Sequence, residues 1–236
     1  MTKAAEDLLL VHHDGPVMNV TFNRPDHRNA VNGVMMRGIA DAVRQATAHD
    51  CVVIRFAASG EDFSLGRDHA ESPRLGSTIW TKDEWRAMTG DAFGSVAGFG
   101  GVTVAEVRGR AYGFGAALTT TVDVAIAADD ARLAFDEVPM GFAPRRVMSL
   151  LFNRLGERRI KELVLTGRSV SAEEAHAIGI VTELAPAASL TAVVDRRVAD
   201  LVSHDPKILR HAKWYLGELT NMTSVERPAY EGPSTF

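Results

Sequence analysis

Apolar positions along the chain change period several times, and each change marks an element. Residues 8 to 11 and 17 to 22 are short apolar runs of strand type, and residues 32 to 48 repeat apolar side chains at helical spacing. Residues 52 to 56 return to a β-branched run, which completes the order strand, strand, helix, strand. Between the second strand and the helix, Asn23-Arg24-Pro25-Asp26 is turn chemistry, because proline fixes its own φ and disfavours helix in the residue before it. A second cycle follows, with an apolar stretch at 102 to 107, a glycine-rich turn at 109 to 115, a helical run to about 121 and a strand at 122 to 127. Residues 71 to 101, between the cycles, lack one clear period. They hold Pro73, Gly76, Trp80 and Trp85, with a helix predicted over 81 to 93, and long excursions of this kind often carry function.

The last third is helical in pattern, over 147 to 155, 158 to 165, 172 to 177, 189 to 202 and 206 to 219, with an irregular tail from 227 to 236. Ser171 followed three residues later by Glu174 has the form of a capping box. Strands early and helices late predict an α/β fold in one domain spanning residues 1–236. Its α/β core covers about 1–185 and a helical region about 186–236. No repeat at a fixed period appears, which disfavours a solenoid.

Composition narrows the function. A chain of 236 residues with 46% hydrophobic and 24% charged side chains is an ordinary globular one. A net charge of −4 without a Lys/Arg run excludes a general attraction to nucleic acid. The first residues lack the basic-then-apolar order of a signal peptide, and no window reaches the roughly 20 apolar residues that span a bilayer. A cytoplasmic protein with no membrane partner is expected. Cys51, the one cysteine, has no internal partner and reads as a small buried hydrophobe. His12 and His13 have no acidic partner at ligand spacing, so no metal is expected.

Gly113-Phe114-Gly115-Ala116-Ala117 opens a helix after a strand and invites a dinucleotide-binding reading. The third glycine of that fingerprint would fall at Leu118, and no acidic residue ends a clear second strand. Two readings stay open: a turn whose glycines permit tight geometry, or a helix start whose free N–H groups meet a developing oxyanion. Phe63-Ser64-Leu65-Gly66-Arg67-Asp68 is a second glycine turn after a core strand, and two such turns can aim one N–H each at one oxygen.

These two segments resemble the oxyanion-hole segments of the crotonase (enoyl-CoA hydratase/isomerase) family, usually written F-C-A-G-A-D and A-L-G-G-G-C-E-L. The resemblance continues in order through Asn23-Arg24-Pro25-Asp26-His27-Arg28-Asn29-Ala30-Val31, Val104-Ala105-Glu106-Val107-Arg108-Gly109, Asp123, Phe135-Asp136-Glu137-Val138-Pro139 and Leu165-Thr166-Gly167-Arg168. It implies a crotonase-like (ClpP/crotonase) superhelix of β-β-α units with a C-terminal helical region, an acyl-CoA thioester as substrate, and a trimer or hexamer. CoA belongs to the substrate, and no separate cofactor is implied. Carried over by position, the hole is made by the backbone N–H groups of Arg67 and Phe114, with Ser64, Leu65, Gly66 and Gly113 as substrate-binding residues of the two turns. The same resemblance implies that Arg67, Asp68, His69 and Ala70 line the CoA path, where Arg67, Arg24 or Arg28 meets a phosphate.

Hydratases of this family use two glutamates. Here one position falls on Ala117, which has no proton to transfer, and the other on Glu137. One base serves a Δ3,Δ2-enoyl-CoA isomerase, the preferred reading. An atypical hydratase, a C–C hydrolase or a thioesterase, with His69 as a further base, are alternatives, and a catalytically silent acyl-CoA-binding paralogue is one of another class. After Pro144 the family's glycines are replaced by Arg145-Arg146-Val147-Met148-Ser149-Leu150 at the acyl end, so the common fatty-acyl substrate does not carry over. The closing helices of the family are expected to be shortened.

Overall fold

A computed structural model of the chain describes residues 8–152, 154–220, 222, 226, 227 and 230. The irregular tail expected over 227–236 lies mostly outside these residues, as do the first seven positions.

Strands β1 (Leu9–Asp14) and β2 (Val17–Phe22) form an antiparallel hairpin. Every later strand of this sheet joins in parallel, with β3 (Val53–Ala58) beside β2 and β4 (Val102–Val107) beside β3. Beyond them lie β6 (Val124–Ala128) and β9 (Glu183–Ala185). Parallel neighbours need crossovers, and helices α1 (Gly33–Ala48) and α2 (Lys82–Gly98) supply the first two. All six positions of β4 are buried, as expected of a strand covered on both faces.

Local chemistry fixes where those helices start. Asn32 caps α1 by accepting from the Met35 amide at 3.0 Å, and Met35, Met36, Ile39 and Val43 make its buried stripe. Thr81 and Glu84 form a reciprocal capping box on α2, whose buried face carries Trp85, Met88, Thr89, Phe93 and Val96. α2 runs past the end predicted from sequence, to Gly98.

The glycine-rich stretch read as one turn is divided by a strand, β5 (Arg110–Tyr112), which pairs with β7 (Arg132–Ala134). With β8 (Val170–Ser171) they form a second, three-stranded sheet. Strands of two or three residues carry no readable period, so β5, β7, β8 and β9 escaped the sequence reading. The chain leaves the first sheet at Gly109, where φ is +53° and a methyl group would lie 2.0 Å from the Glu61 carbonyl oxygen.

Helix α3 (Phe114–Thr121) is buried at all eight positions. Its Thr119, Thr120 and Thr121 hydroxyls donate to the carbonyls of Gly115, Ala116 and Ala117 at 2.8–2.9 Å, so three polar side chains are hidden at little cost. The remaining helices are α4 (Arg145–Phe152), α5 (Glu157–Thr166), α6 (Ala172–Ala177), α7 (Leu190–Val202) and α8 (Pro206–Thr220). Ser171 caps α6 by accepting from the Glu174 amide at 3.1 Å. The expected reciprocal arm of that box is missing, because the Glu174 carboxylate turns to Arg168 at 2.9 Å. Lys213 ties α8 beneath the sheet through the Gly101 carbonyl at 2.8 Å and Asp123 at 2.7 Å.

Candidate active site

The first glycine turn hangs from β3 and is held from three sides. The Asn29 side chain, 1% exposed, donates to the carbonyls of Ser59 and Asp62 at 2.9 and 2.8 Å. Asp62 in turn takes a two-pronged contact from the Arg110 guanidinium, both bonds 2.8 Å, and the Arg110 amide at 3.0 Å. Burial pushes the Asp62 carboxyl up, but the Arg110 hydrogen bonds outweigh it and hold the group below its ordinary range. Ser64 Oγ donates to the Asn29 carbonyl at 2.8 Å and accepts from the Gly66 amide at 3.2 Å, while Leu65 donates to the Arg28 carbonyl at 3.1 Å. Gly66 sits at φ +99°, a backbone that favours glycine.

The second turn starts α3. Gly113, at φ +47°, donates to the Ala134 carbonyl at 2.9 Å and leaves the Phe114 amide as the first free N–H of the helix. The two turns are bolted together by Tyr112 N–H to the Ser64 carbonyl at 2.8 Å and Ser64 N–H to the Arg110 carbonyl at 3.1 Å. A methyl on Gly66 would lie 3.7 Å from the Phe114 nitrogen, and a methyl on Gly113 would lie 3.5 Å from the Gly66 Cα. Among the described residues the amides of Arg67 and Phe114 have no acceptor, and both residues line one cavity of about 640 Å³. The Phe114 ring packs tilted against Phe93 of α2 at 4.5 Å between centroids, which places its bulk in a helix interface.

Glu137 faces the same cavity. A methyl on Gly113 would lie 3.8 Å from its Oε1. Glu137 is 9% exposed, and its Oε2 has no hydrogen-bond partner among the described residues. Burial pushes its carboxyl above the ordinary range; a backbone hydrogen bond opposes this, neighbouring Asp136 adds to it, and the Arg67 guanidinium pulls it back. The half-buried Arg67 side chain is itself pushed below its usual pKa by burial, against the attraction of Glu137. Ala117 also lines the cavity from α3, so this wall offers a methyl and no carboxylate.

The other candidates divide into braces and surface. Arg24 is committed to Asp68 at 2.6 Å and the Ala30 carbonyl at 2.9 Å. Asp68 spends its other oxygen on the Ala70 amide at 2.9 Å. Arg28 is exposed, at φ 50°, with no ion pair among the described residues. His69 is exposed beside Phe142, 6.1 Å between ring centroids, and is not among the residues lining the cavity. Trp80 packs on the start of α1 and donates to Glu71 at 2.9 Å, whereas Trp85 lines the cavity.

Asn29 and Asp62 had drawn no individual reading from sequence, although the left-handed Asn29 (φ 55°) follows a proline turn, where such a backbone is common. Among the described residues no group of three His, Cys, Asp or Glu is placed to hold a metal ion, and no helix is long and apolar enough to cross a membrane.

The model of the enoyl-CoA hydratase/isomerase family matches residues 12–231. A Mycobacterium tuberculosis protein named "Probable enoyl-CoA hydratase echA8" is 32% identical over 186 residues, 78% of this chain and 71% of that one. Rat enoyl-CoA delta isomerase 2 is 27% identical over 207 residues, 87% of this chain and 53% of the relative. A Thermobifida fusca protein crystallised with acetoacetyl-CoA superposes with a TM-score of 0.84 at 27% identity, covering 96% of this chain and 94% of the other.

Proposed function

Because this chain belongs to the enoyl-CoA hydratase/isomerase family and has the crotonase fold, we propose that it moves a double bond within an enoyl-CoA thioester, using Glu137 as its one proton carrier. The observation that carries this reading is the pairing of Glu137 with Ala117 across a single cavity. Hydration with two carboxylates needs an acid and a base; this cavity holds one carboxylate. Isomerisation needs only one group that takes a proton from C2 of a 3-enoyl thioester and returns it at C4. The unpartnered Oε2 is free to do both, and burial makes the carboxylate a stronger base than it is in water.

Between the two transfers the electrons of the broken C–H bond reside on the thioester oxygen as a dienolate. The Arg67 and Phe114 amides supply two fixed donors for that charge, which need no reorganisation as it develops. CoA would enter past the 65–70 segment, with exposed Arg28 available to a phosphate.

The test is incubation with 3-enoyl-CoA in deuterated water, following double-bond position, hydration, thiol release and deuterium uptake by mass spectrometry. Movement of the double bond with deuterium incorporated is the expected result. Hydration or free CoA would overturn the one-base reading. Binding without any conversion would point to a silent acyl-CoA-binding protein.

A further inference from the structure

The charge on the walls of the active cavity is opposite to that of the molecule. The chain carries a net −4, yet Arg67, Arg74, Lys82, Arg86, Arg145 and Arg146 line the cavity with Glu137 as its one carboxylate. Arg67 lies at the oxyanion hole and is coupled to Glu137. The others have no such internal counter-charge. Lys82, Arg145 and Arg146 make no ion pair among the described residues, and Arg86 meets only the exposed Asp83 at 3.3 Å.

Arg146 is the most closely placed of them. Its guanidinium lies across α2 where that helix has no side chain, a methyl on Gly90 falling 3.2 Å from Nη2. Though solvent-exposed, it therefore reaches from α4 to α2 along the cavity. Trp85, Phe93, Val147 and Leu150 line the same space, so an apolar stretch and a cationic cluster share one cavity. Arg145 and Arg146 also begin α4, where the helix end already carries partial positive charge and acidic residues are ordinarily favoured. Stability of α4 argues against two arginines there; attraction of an anion argues for them.

We propose that the acyl group handled by this protein ends in a carboxylate, held by Arg146 with help from Arg145 while the thioester sits between the Arg67 and Phe114 amides. This rests on the acyl-CoA reading above and names the substrate class. A guanidinium matches a carboxylate through two parallel hydrogen bonds, and the apolar side chains beside it suit the chain that leads to that carboxylate. A methyl-ended chain would leave the same cations without a partner.

Binding of saturated, unreactive thioesters isolates this from catalysis. By calorimetry hexanedioyl-CoA should bind at least about tenfold more tightly than hexanoyl-CoA, a difference of about 1.4 kcal/mol. In Arg146→Gln that ratio should collapse to within about twofold through loss of hexanedioyl-CoA affinity. Equal affinities in the native protein would overturn the proposal. So would an Arg146→Gln variant that weakens both thioesters and free CoA alike, since the cation would then serve a CoA phosphate. If neither thioester binds, the proposal falls together with the acyl-CoA reading. If both bind equally, that reading survives and only the carboxylate terminus is lost. Double-bond migration, measured separately, decides the isomerase assignment in either case.

Discussion

Gly115 lies so close to Ser64 that a methyl group on it would stand 2.7 Å from the Ser64 carbonyl oxygen and 3.0 Å from its Cβ. The contact sets the spacing of the two amides proposed as the oxyanion hole, since Ser64 belongs to the turn of Arg67 and Gly115 follows Phe114. Gly115→Ala should force the turns apart and lower kcat about 100- to 1,000-fold, the effect of losing one oxyanion donor. It should also cost about 1–3 kcal/mol of stability from overpacking. Steady-state kinetics and urea unfolding measure the two separately, and full turnover in this variant would place the hole elsewhere.

Glu137→Gln keeps the shape of the side chain and removes its basicity. Turnover should fall about 100- to 10,000-fold with thioester binding retained. Stability should change the other way. Because burial raises the folded-state pKa of Glu137, its ionised form opposes folding at neutral and higher pH, and the neutral amide removes that penalty. A Tm above that of the native protein at pH 8, together with loss of activity, is the expected pair.

A base with a raised pKa dictates the acid limb of the pH profile. kcat/KM should rise with pH through a value above the ordinary carboxylate range, because only ionised Glu137 accepts the proton. The Arg67 charge favours that ionised form, so Arg67→Ala should move the limb to higher pH while leaving the backbone amide in place. A limb that stays put, or moves down, would detach Arg67 from the titration.

Asp62 offers a stability prediction independent of chemistry. Asp62→Asn should cost about 1–3 kcal/mol at pH 7 by weakening its bonds to Arg110. Since the folded-state carboxyl is held below its ordinary value, the native group contributes fully above the unfolded pKa of about 4 and loses that contribution as pH falls through the depressed value. Unfolding curves of the two proteins should therefore converge in acid.

Long periodic elements were legible from the chain itself. α1 and α7 appear within a residue of where their apolar spacing put them, because one buried stripe repeats over several turns. β5 and β7 were not legible, since their residues owe their conformation to each other across a sheet and to Gly109 meeting Glu61. The glycine turns could be singled out because backbone freedom depends on residue type, whereas Glu137 stood out only through the family resemblance. The bracing role of Asn29 and the position of Arg146 over Gly90 depend on partners far along the chain, which no local pattern encodes.

The parallel pairings that carry the site have a kinetic meaning. The turn of Arg67 follows β3, the turn of Phe114 follows β5, and Glu137 follows β7, so the three meet only after strands distant in sequence have paired. Non-local pairings of this kind form slowly, because a long loop must close before its contacts reward it. No partly folded chain lacking the β3–β4 and β5–β7 pairings has a proton acceptor facing the two free amides. Turnover in a refolding mixture should thus count molecules in which both pairings have formed, and return no earlier than the slower of the two.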